Sequence, residues 1–232
     1  MGSHAALQVD LAHHAQDAAE REQADALLGF MTPIVKACLT EWGVECTYHA
    51  LQCYGGHGYI AEHGMEQLAR DARITTLYEG TTGIQALDRL GRKVLQQQGA
   101  GLKVMLGLIE AFCETPDLPA PVQAFVAPLR AKLAEWQQLT LRIGQRAAAD
   151  PEEVGAAAHD YLMYSGYVCL AYWWARSVAA AEASSHPEAF KAAKRETARF
   201  YFRRLLPRTL MHAAAIDAGA ATLMALDADA FD

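Results

Sequence analysis

The stretch QCYGGHGYIAEHGMEQLARDARITTLYEGTTGIQ, residues 52–85, carries the strongest structural signals in this sequence. Its glycine-rich part, residues 55–58, follows a helical pattern, and glycines at such a place can end a helix and let a backbone approach a ligand closely. Helical periodicity then predicts a short helix over 65–73 and another that begins at 82 and ends near 97. The segment between these two helices, which contains Glu79, is predicted to be irregular.

Helical periodicity continues on both sides of this stretch, whereas the apolar/polar alternation of a half-buried strand is almost absent. Upstream, an apolar stripe over 7–18 predicts a first helix. A long helix is expected to begin at Thr32 and Pro33, because threonine caps well and proline suits a first helical position, and to end at Gly55 and Gly56. Downstream, further helices are predicted over 102–113, 122–149, 151–184 and 187–226.

These patterns predict an all-α protein with more than about two thirds helix and essentially no sheet. We expect an antiparallel helical bundle over 5–100, truncated at its amino-terminal end, followed by a second packed helical subdomain over 101–232. The proline-rich link at 116–121 is too short for an independent tether, so the two halves are expected to pack together. The opening residues 1–4 are typical of an expression-tag remnant and are left out of the fold prediction.

Composition and charge exclude several classes of protein. The chain has 232 residues, of which 52% are hydrophobic, and a formal net charge of -7, which disfavours binding to a phosphate backbone. Its five cysteines are scattered singly, so neither a disulfide framework nor a zinc site is indicated, and a reducing cytoplasm fits best. No apolar run reaches the roughly 18 to 20 residues that span a bilayer. We therefore expect a cytoplasmic protein that binds neither nucleic acid nor membrane.

Three motifs in residues 52–85 together identify a family. They are a Gln-x-x-Gly-Gly-x-Gly turn beginning at Gln52, an Arg-Asp-Ala motif beginning at Arg70, and a Tyr-Glu-Gly-Thr turn beginning at Tyr78. In this order and at this spacing the block resembles the last helical bundle of the acyl-CoA dehydrogenase family. The match covers roughly the first hundred residues. The remainder resembles the extra helical extension of one long branch of that family, the methylthiopropionyl-CoA-dehydrogenase-like branch.

The resemblance implies a reaction and a set of site residues. The reaction is the FAD-dependent α,β-dehydrogenation of an acyl-CoA thioester, in which Glu79 removes the α-proton while hydride passes to flavin N5. The Glu79 backbone N–H is expected to bind the thioester oxygen. The family often has Gln or Asn after the threonine pair, but this chain has Gly83, which removes one side-chain contact. Gly80 is expected to contact the substrate. The residues expected to contact FAD are Gln52, Gly55, Gly56 and Thr81.

The resemblance also implies partners. The Gln52 turn is expected to pack against the adenosine diphosphate part of an FAD held mainly by a neighbouring subunit, so the cofactor site is incomplete in this segment. A homodimer or homotetramer and an electron-transfer flavoprotein are the expected protein partners. The amino-terminal helical domain and the central β domain that hold the flavin ring in the family are absent from these residues, so we expect the isolated segment to be inactive.

Simpler interpretations remain open for each residue. Glu79 could merely complement a helix dipole, and the glycines could merely end a helix. Arg70, Asp71 and Arg73 are expected to form an ion-pair network that braces the Glu79 turn, with phosphate binding by Arg73 as the alternative. His57 and His63 lack a completing ligand set, so no metal is predicted. The basic residues over 191–208 are expected to face solvent or another subunit.

Two other functions compete with the enzyme hypothesis. The segment could be a non-catalytic helical module for oligomerisation or partner binding, which a flavin spectrum of the purified protein would distinguish. A weaker alternative is a family relative that uses oxygen as oxidant or protects DNA, and the acidic balance of the chain counts against DNA.

Overall fold

The computed structural model describes residues 1–231, and within them every regular element is a helix. The chain is 83% helical, which confirms the predicted all-α class and the expected helix content. The α-helices are α1 (Gly2–His14), α2 (Ala18–Tyr54), α3 (Met65–Ile74), α4 (Thr82–Leu87), α5 (Ala100–Glu114), α6 (Ala120–Ala147), α7 (Glu152–Ala183), α8 (Glu188–Phe200) and α9 (Thr209–Ala218).

Several of these α-helices continue into π-helical or 3-10 turns. Wider π-type turns continue α4 over Asp88–Gln96, and they also continue α8 over Tyr201–Leu205. A 3-10 turn at Leu206–Arg208 then leads into α9. The remaining 3-10 turns are Gly55–Tyr59, Ala61–His63 and Ala228–Phe231. The predicted helix over 82–97 is therefore present as α4 with its π-type continuation.

The amino-terminal residues belong to the fold, so leaving them out of the prediction was wrong. Helix α1 already begins at Gly2, Met1 packs against the main core, and the ring of His4 lies 4.3 Å from the ring of Trp173 on α7. Burial lowers the pKa of His4 to about 4. The contacts of these residues are tertiary, and the composition of a four-residue stretch carries no sign of them.

The predicted helix start at Thr32 and Pro33 is also wrong, because α2 runs through both residues without a break. The hydroxyl of Thr32 donates to the carbonyl of Leu28, 2.8 Å away, instead of capping a new helix. Pro33 has no N–H to donate within the helix. The carbonyl that would accept from residue 33 in a regular helix is that of Gly29. At the next carbonyl, that of Phe30, the fully buried Arg89 donates a hydrogen bond at 3.3 Å.

The last predicted helix, over 187–226, ends earlier than expected. Its α-helical turns stop at Ala218, and Gly219 follows with φ 69°. The backbone N–H of Ala220 then donates to the Glu153 carboxylate at 3.1 Å. A glycine in the left-handed region and a side-chain acceptor on α7 together redirect the chain there.

One main hydrophobic core joins the two halves on either side of residue 100. Its fully buried side chains include Phe30 from α2, Met105 from α5, Trp136 from α6 and Tyr161 from α7. The guanidinium carbon of Arg89 lies 4.0 Å from the centroid of the Phe30 ring, 5.7 Å from that of Trp136 and 5.5 Å from that of Tyr161. The halves are therefore packed together, as expected from the short proline-rich link.

A close contact between the halves at Gly166 suggests a test by substitution. A Cβ added at Gly166 of α7 would overlap the sulfur of Cys38 on α2 and lie 3.2 Å from its Cβ. We expect Gly166→Ala to lower the free energy of unfolding by about 1–3 kcal/mol, since overpacking a tight core costs that much. Cys38→Ala removes the sulfur, so Gly166→Ala should lower the free energy of unfolding by less in a protein that already carries Cys38→Ala.

Urea denaturation of the four proteins of this double-mutant cycle measures the coupling. Gly155→Ala on the same helix is the control, because nothing lies within 4 Å of the added methyl group. It should be neutral or slightly stabilising. If the losses of unfolding free energy caused by Gly166→Ala and Cys38→Ala simply add in the double variant, α2 and α7 do not contact each other at these two residues.

Candidate functional site

The irregular segment between α3 and α4 is a turn with unusual backbone angles. Glu79 has φ 54° and Gly80 has φ 90°, so two successive residues have positive φ. Positive φ strains a residue such as glutamate, and strain of this kind concentrates at functional sites. Gly80 cannot be replaced without cost, because its φ of 90° strains any residue with a Cβ.

Side chains from α2 and α4 hold this turn in place. Lys36 Nζ donates to the carbonyl of Gly80 at 2.6 Å, and Gln85 Nε2 donates to the carbonyl of Glu79 at 3.3 Å. The Thr82 hydroxyl donates to the carboxylate of Glu41. The two carbonyls of the strained turn are thus engaged, and the turn is tied to the longest helix of the chain.

The sequence did not single out Lys36 or Glu41. Both lie on α2, where a charge on a mostly apolar helix is the only signal in the sequence. That signal says nothing about a partner more than 40 positions away in the chain.

Thr81 caps α4, as the sequence predicted. Its φ of -60° and ψ of 165° are extended, and its hydroxyl accepts from the N–H of Ile84 at 3.5 Å. Thr81 also lies on the surface, so its hydroxyl can meet a ligand without leaving the cap position.

The Glu79 side chain is exposed, and so are apolar side chains of α3, α4 and the turn that joins them. Within residues 1–231, no hydrogen bond engages the Glu79 carboxylate or its backbone N–H. Six apolar side chains of α3, α4 and the turn between them are each about half exposed, and exposed apolar surface of this kind suits contact with another body. They are Leu68, Ile74, Leu77, Tyr78, Ile84 and Leu87.

The glycine-rich turn lies at the end of α2. Gly55 has φ 58°, and its N–H donates to the carbonyl of Gln52, so this glycine ends the helix as predicted. Gly58 is buried, and a Cβ there would lie 2.6 Å from the carbonyl oxygen of Leu51. Gly56 is different, because it has no positive φ and nothing lies within 4 Å of an added Cβ. The fold of this chain therefore explains Gly55 and Gly58 but not Gly56.

The two predicted parts of the site are not adjacent. The Glu79 turn is tied to α2 at Glu41, whereas Gln52 lies at the carboxyl end of the same helix. Eleven residues of α-helix separate these points, a rise of about 17 Å. Glu79, Gly80 and Thr81 form one cluster, and Gln52, Gly55 and Gly56 form another.

The predicted ion-pair network at residues 70–73 is not formed. Asp71 accepts instead from the Gln67 side chain at 2.7 Å, and Arg73 donates to the Thr76 hydroxyl. Among the described residues, neither arginine of this network pairs with a carboxylate. The residues fall on one short helix, where Asp71 and its nearest arginines lie one and two positions apart and so do not face each other.

Other charged and histidine groups have structural partners. The rings of His57 and His63 pack edge to face, 5.3 Å apart. In the basic run, Arg195 pairs with Glu182 at 2.6 Å, and Arg208 pairs with Glu45 at 2.7 Å. In the part of the chain that the structure describes, no group of His, Cys, Asp and Glu could hold a metal ion. None of its helices is both long and apolar enough to cross a bilayer.

Comparison with known families accounts for most of the chain. Residues 4–95 match the family model described as "Acyl-CoA dehydrogenase, C-terminal domain", and residues 105–227 match the one described as "Acetyl-CoA dehydrogenase C-terminal like".

Individual relatives agree with these matches. The 3-methylmercaptopropionyl-CoA dehydrogenase of Ruegeria pomeroyi is 36% identical over 75% of this chain and 30% of its own length. A butyryl-CoA dehydrogenase of Syntrophomonas wolfei is 33% identical over 85% of this chain and 33% of its own. The solved structure of Caenorhabditis elegans ACDH-11 in complex with C11-CoA shares the fold, with a TM-score of 0.71 at 19% identity over 85% of this chain and 32% of its own. The chain thus spans about a third of the length of these relatives.

Proposed function

The chain belongs to the acyl-CoA dehydrogenase family, and we propose that it is the carboxy-terminal helical part of an FAD-dependent enzyme that dehydrogenates an acyl-CoA thioester. In this proposal residues 5–100 form the family bundle, and residues 101–232 form the added helical extension. The observation that carries the proposal is the strained Glu79–Gly80 turn, whose carbonyls are held while the Glu79 carboxylate and N–H stay free.

The free groups of Glu79 suit two roles in this reaction. Its carboxylate accepts the α-proton of the thioester, and its backbone N–H donates to the thioester oxygen, where negative charge develops as the proton leaves. Bound FAD supplies the acceptor for the hydride that leaves the β-carbon. Gly80 keeps the backbone beside the substrate free of a side chain. Lys36 and Gln85 act by positioning, because they hold the carbonyls of Gly80 and Glu79, which lie on either side of the Gly80 Cα.

The base needs a pocket poor in water, and this chain supplies only one wall of it. Desolvation raises the pKa of a carboxylate and so its basicity. The half-exposed apolar residues near Glu79, such as Tyr78 and Ile84, provide the surface against which the rest of the enzyme would exclude water. An isolated segment of this length is therefore proposed to lack activity.

Open space at Gly56 supports a cofactor contact at the end of α2. Among the described residues, no atom lies within 4 Å of a Cβ added at Gly56, so a side chain would fit there. Close approach by a ligand therefore explains this glycine better than the fold does. Gln52 and Gly55 share that surface, and Thr81 provides a hydroxyl at the other cluster. We propose that the two clusters contact FAD molecules of two neighbouring subunits. A homodimer or homotetramer, and reoxidation by an electron-transfer flavoprotein in the cytoplasm, belong to the same proposal.

The decisive experiment uses the full-length polypeptide reconstituted with FAD. Anaerobic addition of acyl-CoA should bleach the oxidised flavin and produce the enoyl-CoA thioester. A colourless protein that takes up no FAD but forms a defined oligomer would support the alternative, a non-catalytic helical module for oligomerisation or partner binding.

A substitution at Gly56 tests the cofactor surface. We expect Gly56→Val to weaken FAD retention in the full-length enzyme by about tenfold or more, since two methyl groups would enter the space of the ligand. Its thermal unfolding without FAD should stay unchanged, because no atom of residues 1–231 lies within 4 Å of the added Cβ. Gly107→Val is the matched control, as Gly107 is an exposed glycine of α5 with the same open space. Equal FAD affinity in both variants would remove Gly56 from the cofactor site.

A further inference from the structure

A cavity of about 530 Å³ lies where α2, α7 and the helix running from α8 toward α9 meet. None of its lining residues belongs to the Glu79 turn or to the turn that begins at Gln52. Its volume falls within the range of about 300–1,000 Å³ that is typical of small-molecule pockets. Its walls are mainly aromatic and aliphatic, formed by Trp42, Tyr167, Leu170, Trp174, Phe200 and Leu205.

Polar and aromatic contacts connect the three helices that line this cavity. Arg208 binds both carboxylate oxygens of Glu45 on α2, at 2.7 and 2.8 Å, and donates to the Tyr167 hydroxyl at 3.2 Å. The Tyr201 hydroxyl donates to the carbonyl of Tyr167 at 2.8 Å. The rings of Trp42 and Tyr167 are 5.2 Å apart. The cavity is thus formed before any ligand arrives, so binding costs little ordering of its walls.

The charges in the wall neutralise each other. Hydrogen bonding to Arg208 lowers the pKa of Glu45, and the same pair raises the pKa of Arg208, so both stay ionised near neutral pH. Every carboxylate oxygen of Glu45 has a guanidinium partner. A charged ligand would have to break this pair or remain unpaired in an apolar cavity, and either is costly.

The mouth of the cavity is accessible. Phe200 is 58% exposed, and Cys46, His49 and Thr197 at the rim are also exposed. The rim therefore offers a few hydrogen-bonding groups at the entrance to an apolar interior, the arrangement found in small-molecule sites.

We propose that this cavity binds a neutral, mainly apolar small molecule, whose body packs between Trp42, Trp174 and Phe200 while a polar end group lies at the rim beside His49 and Thr197. The proposal does not depend on the reaction at Glu79.

Two fluorescent probes that differ by one charge test the ligand class. The complete polypeptide is titrated with neutral N-phenyl-1-naphthylamine and, separately, with its sulfonated relative 8-anilino-1-naphthalenesulfonate. We expect one saturable site for the neutral probe and binding weaker by about tenfold or more for the anion, because Arg208 in the wall is already paired with Glu45 and cannot neutralise the sulfonate without breaking that pair. Equal or tighter binding of the anion would overturn the assignment of a neutral ligand.

A substitution at the rim tests whether the neutral probe binds in this cavity. Thr197→Trp puts a large ring into the mouth from an exposed position, so the neutral probe should bind about tenfold or more weakly. Arg199→Trp is the matched control, since Arg199 is exposed on the same helix but does not line the cavity. Equal loss in both variants, or in neither, would show that the probe binds elsewhere.

Two cysteines provide a second measurement that needs no substitution. Cys46 lies at the rim and Cys53 lies outside the cavity, and both thiols are exposed and free. Bound neutral probe should slow alkylation of Cys46 severalfold and leave Cys53 unchanged, as read by peptide mass spectrometry. If Cys46 is unreactive without any probe, another part of the polypeptide or a second copy covers the cavity, and the proposal is wrong. Unchanged alkylation of Cys46 at saturating probe would contradict it equally.

Discussion

Glu79→Gln should leave FAD and acyl-CoA binding nearly intact in the full-length enzyme while flavin reduction slows by about 10²- to 10⁴-fold. The amide keeps the size of the side chain and leaves the backbone N–H in place, but it cannot accept the α-proton. The substitution should not disturb the turn, because the Glu79 side chain has no hydrogen-bond partner within residues 1–231. Binding and chemistry should therefore separate.

Stopped-flow bleaching of the oxidised flavin by saturating acyl-CoA measures this effect. Glu110→Gln is the control, since Glu110 is an exposed carboxylate on α5 far from the turn in sequence, and it should reduce its flavin at the parental rate. If Glu79→Gln reduces flavin nearly as fast as the parent, the turn is structural and another residue is the base. Failure of substrate binding in Glu79→Gln would instead assign the carboxylate to recognition.

Trp136→Ala should lower the free energy of unfolding by about 3–5 kcal/mol, the cost typical of removing a buried tryptophan. The Trp136 side chain is fully buried on α6, and its ring centroid lies 6.1 Å from that of Phe30 on α2. Because this contact joins the residues before and after 100, the whole chain should unfold earlier in a single transition.

Urea denaturation followed by circular dichroism measures the loss. Leu141→Ala on the same helix is the control, because Leu141 is 66% exposed and its removal should change stability by less than about 0.5 kcal/mol. Two separate transitions, of which Trp136→Ala shifts only one, would show that the extension folds independently of the bundle.

Some sequence patterns predicted the structure correctly, and others did not. Periodicity predicted the helical class, and glycine predicted the end of α2 at Gly55, because both depend on interactions within a few residues. The predicted helix start at Thr32 and Pro33 was wrong, because the course of the chain there does not follow from the local sequence. A local rule treats proline as a helix start, whereas α2 runs through Pro33 while its neighbours Met31 and Ile34 pack into the core.

The candidate site shows the same division. The Tyr-Glu-Gly-Thr motif identified Glu79 by resemblance, and the hydroxyl of Thr81 identified the cap of α4 by local chemistry. Neither indicated that Lys36 and Gln85 would hold the two carbonyls of the turn. The expected network of Arg70, Asp71 and Arg73 was a guess from neighbouring opposite charges, and side-chain directions on a helix do not bring them together.

By itself, the sequence determined the helical class, the end of α2 and the three motifs that define the family, since each depends on residue type and short spacing. Only the tertiary structure decided which distant residues support the Glu79 turn, that one core joins both halves, and that a cavity forms beside Trp42. These features depend on contacts between residues tens of positions apart. Such contacts are specified by the packing of whole helices, which no local pattern in the chain encodes.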